Sequence, residues 1–203
     1  MSATNMRGVK SRRLPGPNEN GASAVEFAVV AFWFFLIVFG IIEFARAMYM
    51  FNTLPEVTRR VARAAANISF TDGDALDLAR KRGIFNETTG AMPAGSPVTY
   101  KNIRIEYLYL PPKASELAPI PPGAMPHCPT QNRTICMNDP NSASCIRAVQ
   151  VSVCDTAADG SACTAVPYKS MFSFVPLSLS LPKALTIVSA ETLGYRAGDN
   201  TCT

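Results

Sequence analysis

At 203 residues the chain has room for one membrane segment and one modest globular domain, and little more. Its formal net charge of +4 is too small for a nucleic-acid binder, and its basic residues lack the interleaved aromatics of a stacking surface. Ten of the 16 prolines crowd between Met92 and Pro140 and call for long irregular connections.

The first stretch, residues 1–21, is basic and polar. Arg7, Lys10, Arg12 and Arg13 stand against Glu19 alone, which predicts that the N-terminus stays cytoplasmic and that everything after about residue 45 is exported. From Ala22 to Ile42 one charge interrupts an apolar run, that of Glu26. The core from Phe27 to Ile42 is apolar on every helical face, where an amphipathic helix would show a polar stripe. At about 1.5 Å per residue the run spans roughly 30 Å, the thickness of a hydrocarbon core. A transmembrane helix, continuing as helix to Met50, is the expectation for residues 22–50. Glu26 is the costly residue in it, because a carboxylate in a membrane helix usually marks a function or a specific partner.

The exported part is expected to occupy residues 51–203. Pro55 either kinks the rod or opens a new helix. The capping-box spacing of Thr53 and Glu56, with Pro55 in the first turn, favours a new helix from Glu56 to Ala66. A short helix Asp74–Arg82 follows, capped near Asp72 and stopped by Gly83. Period-two alternation then marks strands at Ile103–Tyr109 and Val149–Val153, with Tyr168–Val175 and Ala184–Tyr195 as further candidates. Leu177, Leu179 and Leu181 also alternate, between prolines. The proline-rich stretch Pro111–Asn141 reads as an ordered but irregular insertion. No internal repeat is visible. The fold expected is α+β: one N-terminal transmembrane helix extending into an exported domain of short helices and an antiparallel sheet of about four strands, with Pro- and Cys-rich loops.

All six cysteines (Cys128, Cys136, Cys145, Cys154, Cys163 and Cys202) fall in the exported part, where oxidation is possible. Their spacings suit disulfides and match no zinc pattern, and the connectivity is one of fifteen. His127, the one histidine, lies in a loop and reads as structural. Asp72, Asp74 and Asp77 lack the ligand spacing of an EF-hand, and helix capping accounts for at least two of them. No phosphate loop and no nucleophile elbow is present, so neither a catalytic site, nor a metal, nor a cofactor is expected.

Gly21 stands five residues before Glu26, in Gly-Ala-Ser-Ala-Val-Glu-Phe after the basic leader. This resembles the processing site of type IV prepilins, closest to the Flp branch, whose glutamate is followed by an aromatic, here Phe27. The resemblance implies that a prepilin peptidase removes residues 1–21 and that the mature chain starts at Ala22. The new ammonium would lie about one helical turn from Glu26, able to pair with it or with a neighbouring subunit's glutamate and so set register.

Residues 21–66 resemble the TadE family of minor pseudopilins, which serve the tight-adherence (Flp pilus) machinery. The match is carried by Ala24-Val25-Glu26-Phe27, by Phe39-Gly40-Ile41-Ile42-Glu43-Phe44-Ala45-Arg46, and by Arg59-Arg60-Val61-Ala62-Arg63-Ala64-Ala65-Ala66. A weaker echo lies in Tyr168 to Val175, followed by Pro176 and Leu177. The Pro- and Cys-rich middle and Pro55 depart from the family pattern. The resemblance implies a non-catalytic pilin-like subunit of the bacterial inner membrane, with membrane lipid, the peptidase, other pilins and an assembly platform as partners. Two other readings stay open. Ala45-Arg46-Ala47 fits signal peptidase, which would release residues 48–203 as a soluble periplasmic binding protein. An uncleaved signal anchor bearing a binding ectodomain is the other.

Overall fold

The computed structural model describes residues 20–155, 163–172, 179–198 and 202. Their contacts divide the chain into two units, Met1–Gly40 and Ile41–Thr203. In the first unit the described residues are all helical and belong to α1 (Asn20–Ala65). Its apolar side chains, Phe27, Val29, Val30, Phe32, Trp33 and Phe34 among them, are exposed around the rod. Among the described residues none covers them, as expected of a surface made for lipid or for other helices. Among the described residues α1 is the one helix long and apolar enough to cross a membrane.

The second unit is built on the C-terminal half of α1. Ala47, Met50, Leu54, Val57, Val61, Ala62 and Ala65 recur at helical spacing on one buried face. That stripe continues in register across Pro55, and α1 does not restart there as the capping-box spacing suggests. Thr53 donates its hydroxyl to the Tyr49 carbonyl at 2.7 Å, a bond within the helix and not a cap. The reason is energetic. A proline inside a helix costs about 3 kcal/mol. Met50, Leu54, Val57 and Val61 are fully buried across it, each contributing roughly 1.5–3 kcal/mol of apolar burial. Packing wins.

α2 (Gly73–Gly83) matches its expected span within a residue at each end, and the Asp72 carboxylate accepts from Ala75 N at 2.9 Å. Gly83 lies where α2 meets α1: a Cβ there would stand 2.2 Å from Val61 Cγ2. A turn of 3-10 helix at Tyr100–Asn102 then leads into the sheet.

The sheet is antiparallel with order β2-β1-β3-β4, from β1 (Ile103–Tyr109), β2 (Ala118–Pro119), β3 (Ala148–Val153) and β4 (Leu185–Ser189). Ile105 pairs with Val151, and Val151 with Thr186. Val149, Val151 and Val153 join the α1 stripe in one core, and the hydroxyls of Thr58 on α1 and Thr186 on β4 meet at 2.8 Å.

Four strands are present among the described residues, but their membership differs from expectation. Within Tyr168–Val175 the described residues, Tyr168–Phe172, form no strand, and the remainder lies outside the described residues. An isolated bridge pairs Pro167 with Ser180. Of Ala184–Tyr195 only Leu185–Ser189 is strand, and positive φ at Leu193 and Gly194 turns the chain after it. Leu179 and Leu181 bond back to Tyr168 and Val166, while Leu177 lies outside the described residues. The fourth strand is β2, inside the stretch expected to be irregular. That stretch also holds α3 (Pro129–Asn138), with Cys128 as its N-cap and Pro129 at its first turn.

The six cysteines form three disulfides: Cys128–Cys202, Cys136–Cys145 and Cys154–Cys163. Two of them hold α3, a helix of mostly polar residues with one buried side chain, Asn132.

Candidate functional site

Two groups of residues carry the chemistry of α1. The first is its N-terminal end. Gly21, Glu26 and Phe27 lie in the opening turns, all exposed, and Ala22 is in the helix beside Gly21. Glu26 makes no hydrogen bond or ion pair among the described residues. A Cβ at Gly21 would meet nothing within 4 Å, so the helix itself does not require glycine there.

The second group was not recognised as a site in the sequence. Between Phe27 and Pro55 the only charged residues are Glu43 and Arg46. Their spacing of three places them on one helical face, and that face is buried: Glu43 is fully enclosed and Arg46 is 9 % exposed. Arg46 Nη1 donates to Glu43 Oε1 at 3.2 Å. The same Nη1 reaches the Lys169 carbonyl at 2.9 Å and the Tyr168 hydroxyl at 3.2 Å. Its Nε donates to the Ala94 carbonyl and its Nη2 to the Ser96 carbonyl, both at 2.7 Å. One guanidinium thus pins two loops, Ala94–Ser96 and Tyr168–Lys169, to α1.

The Glu43 carboxylate closes the arrangement from the other side. It accepts a short hydrogen bond from the Tyr168 hydroxyl, and Met171 N stands 3.2 Å from each of its oxygens. The Arg46 guanidinium also lies 5.2 Å from the centroid of the Tyr168 ring. Burial, and then the bond to Glu43, push the Tyr168 hydroxyl pKa above its ordinary value, so the proton stays on the phenol. A buried ion pair repays its desolvation only when its remaining donors and acceptors are satisfied, and here backbone carbonyls and an amide from two loops satisfy them. The arrangement is a clasp.

The signal for the clasp was partly present. Two opposite charges at i and i+3 in an otherwise uncharged helix are legible as a pair. Tyr168 is not, because its partner lies 125 residues away in the chain.

Other expected residues take structural places. Asp72 caps α2, Asp77 pairs with Arg80, and His127 sits exposed before α3, its backbone N donating to Gln131 Oε1. Tyr107 is different again. Its hydroxyl is buried without a hydrogen-bond partner among the described residues, and burial pushes its pKa up to about 12.

No curated protein and no solved structure gives a significant match to the chain. Residues 21–63 match the family model described as TadE-like protein. That match begins at Gly21, takes in Glu26, Glu43 and Arg46, and ends just before the C-terminus of α1. The segment that builds the long helix, residues 21–63, is thus similar to TadE-like proteins.

Proposed function

We infer that the protein is a membrane-anchored, non-catalytic component of a Tad-type pilus system, acting as a minor pilin in assembling or anchoring an adhesive Flp-type fibre. The observation that carries this reading is the TadE-like match over residues 21–63, which starts at the glycine preceding the Glu26-bearing apolar helix. In this reading a prepilin peptidase cuts between Gly21 and Ala22 on the cytoplasmic side of the inner membrane. The Ala22 ammonium and the Glu26 carboxylate then supply a register-setting pair, within one subunit or with a neighbouring pilin. The apolar rod associates laterally with other pilus components, and the disulfide-bearing domain of residues 51–203 is presented in the periplasm.

The clasp weighs against release by signal peptidase. Cutting after Ala47 would remove Glu43 and Arg46 and leave Tyr168, Met171 and the Ala94–Ser96 loop without their partners. Burying polar groups without partners costs about 1–3 kcal/mol each.

The test is the N-terminal sequence and intact mass of the protein from its native membrane fraction. A chain starting at Ala22, whose processing is abolished by Gly21→Ala, is the expected result. Because alanine fits at Gly21 without a clash, a processing defect there reports on the peptidase and not on folding. A chain starting at Met48 in the soluble fraction would overturn the reading, and an intact N-terminus would reduce it to a simple anchor.

A further inference from the structure

The charges that would mark the end of the membrane segment are hidden. Glu43 and Arg46 are the only charged residues from Phe27 to Phe51, and the clasp takes both inside the protein. The outer surface of α1 over that length therefore presents no charge. Ile41, Ile42, Phe44 and Met48 are instead exposed, Phe44 at 67 %. These 25 residues measure roughly 37 Å at 1.5 Å each, more than the roughly 30 Å of a hydrocarbon core. Apart from Glu43 and Arg46, the uncharged sequence thus continues past the expected exit at Ile42, as far as Phe51.

Glu43 also fixes what lies at that level. Met171 N is 3.2 Å from its carboxylate oxygens, and the Met171 side chain points outward, 60 % exposed. Lys169, two residues earlier, is exposed as well, its backbone carbonyl held by Arg46. An exposed methionine with a lysine beside it, tied to the helix where the helix leaves the hydrocarbon, is a composition suited to a lipid interface. The thioether enters the acyl boundary and the ammonium reaches up to a headgroup phosphate.

We propose that the Tyr168–Phe172 segment is a second point of membrane contact, seating the base of the folded domain in the phospholipid interface, with Met171 in the acyl boundary and Lys169 at the phosphates. The occupant of the Ile41–Met48 surface and of Met171 is lipid, because the surface continues an apolar membrane segment and carries no charge for a polar partner. This rests on the membrane-anchored reading above. The clasp then has a purpose beyond stability: it holds the segment against α1 at the height of the interface.

The experiment uses the full chain in phosphatidylcholine–phosphatidylglycerol proteoliposomes, with acyl chains brominated near the methyl end to read Trp33 at mid-bilayer and near the headgroup end to read position 171 and its control. Trp33 is the protein's single tryptophan and reports on the span itself. Met171→Trp and Met137→Trp, each in a Trp33→Phe background, report on the segment and on a control. Met137 is 77 % exposed on α3. α3 flanks a cleft also lined by Glu191, whose amide bonds the Ala66 carbonyl. Ala66 lies roughly 34 Å along the helix from Glu43.

The expected result is strong bromine quenching of Trp33 in the wild type and of the tryptophan in Met171→Trp, with the Met137→Trp variant left bright. Quenching of Trp33 with Met171→Trp as bright as Met137→Trp overturns the inference and leaves the anchored reading standing. An unquenched Trp33 overturns the anchored reading and the inference together. A second measurement needs no substitution: a charged oxidant added to wild-type proteoliposomes should convert Met137 to its sulfoxide several-fold faster than Met171. Equal rates would overturn the inference. Slow oxidation of Met171 without quenching would do so too, by showing protein and not lipid above it.

Discussion

Glu43 and Arg46 stand one helical turn apart on α1 and both turn their charge inward, where Arg46 alone bonds three backbone carbonyls from two separate loops. The pair is less a link within the helix than the fastening of the loops onto it. Its energetic weight follows from burial, since removing one member leaves the other charged and enclosed.

Arg46→Ala is therefore expected to cost about 3–5 kcal/mol of stability, and Glu43→Gln less, because an amide still accepts from Tyr168 and Met171. Arg46→Lys should not restore the loss, because a single ammonium cannot reach Ala94, Ser96 and Lys169 together. Denaturant unfolding of the full chain in detergent micelles measures the order. A Lys variant as stable as wild type would refute the fastening role.

Tyr107 predicts the alkaline limit of stability. Its hydroxyl ionises at about 12 in the folded chain, against about 10 when unfolded. The folded state holds the proton more tightly, so the contribution is complete below pH 10 and is lost as pH rises from 10 to 12. The loss is on the order of 3 kcal/mol, since each tenfold difference in proton affinity is worth about 1.4 kcal/mol. Tyr107→Phe should flatten this decline. It should also be near neutral in stability at pH 8, because the hydroxyl has no partner to lose among the described residues. Thermal unfolding of both chains between pH 8 and 12 tests the two statements together.

The disulfides should rank by the loops they close. Cys128–Cys202 spans 74 residues and Cys136–Cys145 spans nine. On the chain-entropy model these contribute about 4 and about 2.5 kcal/mol. Replacing Cys128 and Cys202 by serine should lower the denaturation midpoint more than the Cys136/Cys145 double replacement. The reverse order would mean that the short bridge acts chiefly by holding α3 in place.

At Gly83 the expectation is steric. Its missing side chain admits Val61, which is fully buried and has nowhere to move. Gly83→Ala should destabilise by about 1–3 kcal/mol, the usual cost of overpacking, although alanine is the better helix former. If Gly83→Ala raises the melting temperature, α2 does not dock on α1 that closely.

What could be read from the sequence was the part governed by local period. The apolar run of α1, the Asp72 and Gly83 bounds of α2, and the alternation in β1, β3 and the first half of Ala184–Tyr195 all follow from neighbours within a few residues. Other elements depend on distant partners. β2 is two residues, Ala118 and Pro119, recruited by the end of β1. α3 has little apolar pattern and is stapled by Cys128 and Cys136. Pro55 looked like a helix start because its caps are local, whereas the stripe that carries α1 through it gains its energy from the sheet. Tyr168 alternates like a strand residue, but its hydroxyl answers to Glu43. The spacing of Gly21 and Glu26 could be seen at once, since it needs no fold at all.

The cysteine pairing sets an order of events for an exported domain whose residues cross the membrane in chain order. Cys136 meets Cys145, and Cys154 meets Cys163, each nine residues later. Cys128 must wait, as a free thiol, until Cys202 follows 74 residues later. During that interval Cys136 is the nearest thiol to it, only eight residues on. An oxidase that joins cysteines as they arrive would make the wrong first bridge. The mature pairing therefore calls for thiol–disulfide exchange after synthesis, and its yield should depend on an isomerase more than on an oxidant.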